Sequence, residues 1–344
     1  MPHSPSIHSV RRAVAQAAGR SAYLLGCLAV AAVAGASAAG AETKFTLGTT
    51  NGPKDSSVLA MERWRDAMSK ATNGELVMTI IPGGTLGGDR TLLQQLSTNE
   101  IQVHVAGPVV VHHLLREYQC MEAEFVYNDE AHGFRVWTGP LGQEINDKLV
   151  SQHKIRMVGI GSRGARHVTA NRAIEKPEDL KGVKMRVTNK LREEVFGAMG
   201  ALPGPLSIAE LYGALRQGVF DAQENPISTI YGNRFYEVQS HINLTGHVWS
   251  YWVVSASETF LSGLKPEHRK IFIDTLQSEA IAWLNKEVPA REDKLLKEME
   301  ASGKTKVVRS DVAAFQKVAQ PIVKAYAAKN CRPGLLDDIA KYGK

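Results

Sequence analysis

Cysteine is scarce in this 344-residue chain: three residues, Cys27, Cys120 and Cys331, with no CxxC pair among them. A dithiol redox centre or a cysteine-rich zinc cluster is therefore not expected. HExxH and GxSxG are also missing, which removes the usual zinc-protease and serine-hydrolase signatures. The adjacent His112 and His113 point to different faces, and no Asp, Glu or Cys close in sequence completes a shell around them. Neither a metal nor a cofactor is expected. Charge of one sign is in short supply too, since the formal net charge is only +6 and no basic block occurs. Nucleic acid is thus not the expected partner.

Long apolar runs are confined to one place. Arg11, Arg12 and Arg20 form a basic start, Ala22 to Val33 an apolar stretch, and Ala36 to Ala41 a small-residue end, which together read as a cleavable export signal over residues 1–41. Leu24-Leu25-Gly26-Cys27 resembles a lipoprotein box, but Cys27 sits at the start of the apolar stretch rather than at its end. Cleavage after Ala38 or Ala41 is expected, leaving a periplasmic protein. Removing residues 1–41 takes three arginines and no acid from the charge of +6, leaving +3. Of the cysteines only Cys120 and Cys331 remain, and sequence does not say whether they come within bonding reach.

About 300 residues exceed what one core usually serves, so two lobes are expected. Lys44 to Thr50 reads as a strand. Asp55 to Lys70 reads as a helix with Val58, Met61, Trp64 and Met68 on one face, and Leu76 to Ile81 as the next strand. With a helix at Asp89 to Leu96 and a strand at Ile101 to Ala106, the opening is βαβαβ around a parallel sheet. Glu130 to Leu149 is expected to be one helix and Ile155 to Ile160 a buried strand. Val168 to Ala170 and Val183 to Val187 read as strands, Leu191 to Met199 and Ile208 to Gln217 as helices. A strand region begins at Ile242 and reaches Ser255, and helix dominates from Pro266 onward. No Pro/Ser/Gly-rich linker separates the halves, so ordered strands and a long helix should join them, an arrangement that favours a hinge.

Pro82-Gly83-Gly84-Thr85-Leu86-Gly87-Gly88-Asp89-Arg90 lacks the Lys-Ser/Thr ending of a nucleotide loop and reads as a tight structural turn. Lys184 and Arg186 share one face of the Lys181 to Val187 strand, with Val183, Met185 and Val187 on the other, a pattern that by itself reads as a solvated basic face. An inward-facing arginine cannot shed its proton and must find an anion, either internal or brought by a ligand.

Five segments in order carry a resemblance: Gly164-Ala165-Arg166-His167-Val168-Thr169-Ala170-Asn171-Arg172; Pro177 to Val187; Gly218-Val219-Phe220-Asp221-Ala222-Gln223-Glu224-Asn225-Pro226; Phe235 to Gln239; and Thr245-Gly246-His247. With them the chain resembles the solute-binding subunits of TRAP transporters, the DctP-type receptors, over essentially all of residues 42–344. The resemblance implies an α/β, two-lobe periplasmic binding protein fold, class II-like, with a long connecting helix. Lobe I would comprise 42–163 and 251–290, and lobe II 164–250 and 291–344. It implies a non-catalytic receptor that hands a small organic acid to one small and one large integral membrane subunit; the family contains some homodimeric receptors, and a monomer is the expectation here. By the same resemblance Arg186 makes the main salt bridge to the ligand carboxylate, Arg166 assists, and Asn225 and Asn189 add polar contacts. Trp252 and Ile208 stand where the family lines its pocket. Trp252 either closes an apolar wall over the ligand or packs in the core. Sialic acid receptors carry a glutamate after the strand at Ile101 to Ala106, whereas this chain has Gly107-Pro108, which argues against a glycerol chain on the ligand. Two rival readings stay open: a binding protein for an ATP-driven importer, and a periplasmic enzyme with His167 as general base beside Arg186.

Overall fold

The computed structural model describes residues 42–342. The export-signal reading of residues 1–41, Cys27 included, lies outside them. Chain order begins with strand β1 (Thr43–Gly48), helix α1 (Ser56–Ala71), β2 (Leu76–Ile81), α2 (Asp89–Ser97), β3 (Val103–Ala106) and α3 (Val109–His113). After a 3-10 turn at Arg116–Glu122 come α4 (Glu130–Thr138), α5 (Pro140–His153), β4 (Ile155–Ala170), β5 (Lys184–Val187), α6 (Lys190–Ala198), β6 (Leu202–Pro205) and α7 (Ile208–Arg216). β7 (Ala222–Pro226), α8 (Ile227–Gly232) and β8 (His241–Ser257) follow, then α9 (Glu258–Gly263), α10 (Pro266–Thr275) and α11 (Ala282–Ala301). The chain closes with β9 (Lys306–Val308), α12 (Val312–Asn330) and α13 (Leu335–Lys341).

One sheet runs through both lobes in the order β2-β1-β3-β8-β4-β7-β5-β6, with β9 beside β8. β1 pairs in parallel with β2 and β3, and β5 in parallel with β6 and β7. These two parallel sets are the hearts of the two lobes. Between them lie β4 and β8, antiparallel to each other over nearly their whole length. The far end of β8 joins β3, and the far end of β4 joins β7. Two long strands therefore cross from lobe to lobe. A third crossing comes from the helical run Pro266 to Ala301, where α10 passes through a π-turn at Leu276–Ile281 directly into α11.

Each lobe buries its own apolar face. In the first, Phe45, Leu47, Met61, Trp64 and Met68 pack with Val254, Phe272 and Leu276, and Trp64 donates its indole N–H to the Phe272 carbonyl at 3.1 Å. In the second, Leu211, Leu215, Ile227, Ile230 and Phe235 meet Leu295 and Met299 of α11. Asp55 starts α1 by accepting the backbone N–H of Ser57 at 2.8 Å, which satisfies one of the unpaired first-turn donors.

Two local expectations change. Glu130 to Leu149 is two helices, because Pro140 follows Gly139 and steers that residue out of helical geometry (φ −89°, ψ −162°). The strands expected at Ile155 and Val168 are one strand, β4, carried through bulges at Met157/Gly159, Ser162/Gly164 and Arg166/Val168. Pro226 is the residue capping α8. Gly159, Gly161 and Gly164 have the spacing of a dinucleotide-binding turn, but they lie inside continuous strand and no helix follows. A Cβ at Gly159 or Gly161 would sit 2.9 or 2.8 Å from Ile281 or Leu284, so those glycines let the long helix lie flat on β4. Cys120 and Cys331 are bonded to each other with Cα atoms 6.3 Å apart, tying the 3-10 turn to the end of α12. No helix among the described residues is long and apolar enough to cross a membrane.

Candidate ligand cleft between the lobes

A cleft of about 460 Å³ is lined from one lobe by Thr50, Asp89 and the Ala106 to Val109 turn, and from the other by Arg186, Pro205, Leu206 and Ile208. That size fits a small metabolite. A second hollow lies on the other face of β4, between α8 and α11, lined by Leu59, Tyr231 and Trp283. It holds only about 40 Å³, too little for an organic acid.

Arg186 enters the cleft from β5. Lys184, two residues earlier on the same face, is half exposed and bonds the Gly218 carbonyl at 2.7 Å, whereas Arg186 is 5% exposed. Its Nε donates to the Leu206 carbonyl at 2.8 Å, and its buried Nη1 has no hydrogen-bond partner. Among the described residues no carboxylate lies within salt-bridge distance of it. Burial pulls its pKa down to about 10, so it stays charged at neutral pH.

Arg166, from β4, is differently placed. It is 1% exposed, its Nε is paired with Glu224, and its Nη2 donates to Glu224 Oε1 at 2.9 Å, the Glu224 carbonyl at 2.7 Å and Asn225 Oδ1 at 3.1 Å. Glu224 also faces Arg192 Nε at 3.5 Å and His247 Nε2 at 3.2 Å. Burial would raise the Glu224 pKa, but Arg166 and Arg192 more than offset that and hold it far below the usual carboxylate range. His247 is pushed down to about 4 by burial and so is neutral.

Asn225 lines the cleft. Its Oδ1 accepts from Arg166 and, at 3.4 Å, from Arg163 Nη2, while its Nδ2 donates to Gln223 Oε1 at 2.6 Å. Asn189 does not line the cleft; it caps α6 by accepting the Arg192 backbone N–H at 3.0 Å. Ile208 does line it, beside Leu206. Trp252 is fully buried, donates to Ser56 Oγ at 3.2 Å, and lies beneath the Arg163 guanidinium with 4.2 Å from ring centroid to Cζ, so it forms a floor under that arginine rather than a wall of the cleft. His167 faces the long helix: its Nδ1 accepts the Gly246 N–H at 3.0 Å, its Nε2 is 3.6 Å from Glu292, and it is not among the residues lining the cleft. The Pro82 to Gly88 turn forms part of the mouth, where a Cβ on Gly84 would sit 2.8 Å from Ala209 at the start of α7.

Several cleft residues carry no signal in strand alternation. Arg163 is three residues before Arg166, which on a regular strand puts the two on opposite faces. The Ser162/Gly164 bulge, with Gly164 at φ +87°, inserts the extra step that brings both to the cleft. Glu122 is held by Ser250 Oγ at 2.7 Å, His112 Nε2 at 2.8 Å and Arg192 Nη1 at 3.4 Å. Arg192 lies in a polar-looking helix start and is nevertheless fully buried against Glu122, Glu124 and Glu224. Among the described residues no cluster of His, Cys, Asp and Glu could hold a metal ion.

Comparison with known proteins gives this cleft its context. Residues 47–330 match the family described as bacterial extracellular solute-binding protein, family 7 (DctP). The solute-binding protein RD1_1052 of Roseobacter denitrificans is 29% identical over 88% of this chain and 93% of its own length. Among solved structures, a TRAP periplasmic solute-binding protein from Sulfurospirillum deleyianum with bound succinate superposes with a TM-score of 0.81 at 26% identity, over 87% of this chain and 99% of that one. One from Ochrobacterium anthropi with bound L-fuconate gives 0.82 at 26% identity, over 88% and 100%. The chain belongs to bacterial extracellular solute-binding protein family 7, the DctP family of TRAP-type solute-binding subunits.

Proposed function

We propose that this chain is a periplasmic receptor that captures a small organic acid in the cleft, with the acid's carboxylate on Arg186, and delivers it to the small and large membrane subunits of a TRAP transporter. The observation that carries the reading is Arg186 itself: a buried guanidinium with a free Nη1, no internal carboxylate in reach, and a cleft in front of it. A planar fork offers two parallel N–H groups to two carboxylate oxygens, which lysine cannot do. Arg166 and Asn225 support the site from behind, and Ile208 with Leu206 supplies an apolar wall. Relatives of the same fold hold succinate and L-fuconate, both organic acids.

Export with removal of residues 1–41, action as a monomer, and non-catalytic binding belong to this reading. So does closure of lobe I (42–163 and 251–290) onto lobe II (164–250 and 291–344), with β4, β8 and the α10–α11 run as the hinge. A micromolar dissociation constant, about −8 kcal/mol, is within reach of one desolvated bidentate pair plus apolar contact. The test is mass spectrometry of acid released from purified protein, then calorimetry of that acid with wild type and Arg186→Gln. The variant should lose about 2–5 kcal/mol of binding. Unchanged affinity in Arg186→Gln, or no acid that raises thermal stability, would sink the proposal.

A further inference from the structure

Glu122 ends the 3-10 turn Arg116–Glu122 and lines the cleft. Its carboxylate gathers donors from three other elements: Ser250 Oγ of β8 at 2.7 Å, His112 Nε2 of α3 at 2.8 Å and Arg192 Nη1 of α6 at 3.4 Å. Ser250 Oγ in turn accepts from Arg163 Nη1 at 3.4 Å. Where this one carboxylate stands therefore sets the aim of two side chains that line the cleft, His112 directly and Arg163 through Ser250.

The turn that carries Glu122 is a weak support by itself. Seven residues is long for a 3-10 helix, whose hydrogen bonds are poorly aligned, and no side chain caps its start. Support comes from outside it. The Tyr127 hydroxyl donates to the Met121 carbonyl at 2.6 Å, and Cys120, two residues before Glu122, is bonded to Cys331 at the end of α12. α12 packs along α6, the helix that carries Arg192. Around the bond, the Tyr326 hydroxyl donates to Gln119 Oε1 at 3.0 Å and the Arg332 N–H to the Glu117 carbonyl at 2.7 Å. One helix thus spans from the Arg192 side of the Glu122–Arg192 pair to the Glu122 side.

We propose that the Cys120–Cys331 bond is a positioning device for the ligand cleft: it holds the Glu122 turn in place against α6, so that opening the bond weakens ligand binding in a protein that is still folded. The role rests on the receptor reading above. With the bond open the chain end stays docked, because Leu335 and Ile339 share a buried core with Tyr118 and the Ile339 carbonyl meets His132 Nε2 at 2.8 Å. What is lost is the covalent limit on how far the turn slides, and a binding group must be held within about 0.5 Å of its working position. Stability does not test this, since opening a bond between residues 211 apart destabilises through the unfolded chain in any case.

His112 gives a readout that needs no ligand. Burial would raise the Glu122 pKa, but Arg192 and the His112 bond hold it well below the usual carboxylate range, so the carboxylate is ionised and His112 Nε2 carries the proton between them. By NMR this imidazole N–H should be resolved and slow to exchange in the oxidised protein. It should exchange at least about tenfold faster in Cys120→Ala/Cys331→Ala. The same is expected of wild type in dithiothreitol, which closes to its own disulfide as the two cysteines become thiols. Calorimetry then uses the tightest of a set of organic acids that includes succinate and L-fuconate, at a temperature where every form is folded. The opened forms should bind about tenfold more weakly at unchanged stoichiometry. Glu122→Gln and the opened bond together should weaken binding no more than the stronger of the two alone, whereas Ile208→Ala, on α7, should multiply its own loss with that of the opened bond. An unchanged His112 signal or unchanged affinity in the folded, opened forms overturns the proposal, as does a loss that multiplies with that of Glu122→Gln. If acid binds through Arg186 and the opened forms hold it as tightly, only this role falls. If no acid binds the oxidised protein, the receptor reading falls and this role with it.

Discussion

Arg166 and Glu224 stand diagonally across the β4–β7 ladder, fork to fork, with side chains 1% and 0% exposed. Two arginines thus line one cleft with opposite energetic characters. Arg166 is already paired inside the protein, and removing it strands a buried carboxylate. Arg186 has no such partner, and removing it relieves a buried, incompletely bonded charge. Arg166→Met is therefore expected to cost about 3–5 kcal/mol of stability in ligand-free protein, while Arg186→Met should be neutral or stabilising. Urea denaturation of both variants checks this. Equal destabilisation by the two would show that Arg186 is also held by internal charge.

How much of this was readable beforehand differs by element. β1, α1 and β2 follow from apolar periodicity because each buries one face against one core, and the starts of α1 and α2 came out within a residue. Arg186 shares the Lys184 side of a regularly alternating strand, a pattern that by itself reads as a solvated basic face, and it was the family resemblance that singled it out. Arg163 was not legible, because its direction depends on a bulge, and a bulge changes the period without leaving an apolar pattern to betray it. Arg192 was hidden for another reason: in Lys190-Leu191-Arg192-Glu193-Glu194 it looks like a solvated helix start, and only the tertiary arrival of Glu122, Glu124 and Glu224 makes burial tolerable. Asn189 stands one residue before α6, a position where an amide caps the helix. That signal was available and competes directly with a ligand contact. Cys120 and Cys331 are 211 residues apart in sequence, so their pairing depended on the docking of α12.

The mouth of the cleft offers a way to test closure without touching the arginines. Gly84 and Ala209 approach from opposite sides, and Ala209 is exposed near the start of a helix, so Ala209→Phe adds bulk at the contact without backbone strain. If ligand retention depends on the two sides meeting, the variant should keep wild-type stability when ligand-free and bind the acid about tenfold or more weakly, mainly through faster release. Small-angle scattering at saturating acid should show less compaction than in wild type. Normal affinity together with full compaction would mean that this contact does not limit closure.

Glu124 is 2% exposed behind the arginines, with neither carboxylate oxygen hydrogen-bonded and Arg192 Nε 3.6 Å away. Burial raises its pKa from 4.5 to about 7; Arg192 opposes the shift, and the neighbouring Glu224 and Glu122 charges add to it. A carboxyl whose folded pKa lies above its unfolded one contributes stability that is complete below pH 4.5 and is lost as pH rises through about 7. The loss is on the order of 3 kcal/mol at most. Glu122 and Glu224 act in the opposite sense, since their pKa values are depressed, and their contribution disappears as pH falls into the acid range. Glu124→Gln keeps the shape and removes only the first effect. The variant should match wild type near pH 4.5, exceed it in stability at pH 8, and show a flatter profile between. Urea denaturation at both pH values decides, and a slope identical to wild type would mean that Glu124 is ionised throughout, its charge held by Arg192.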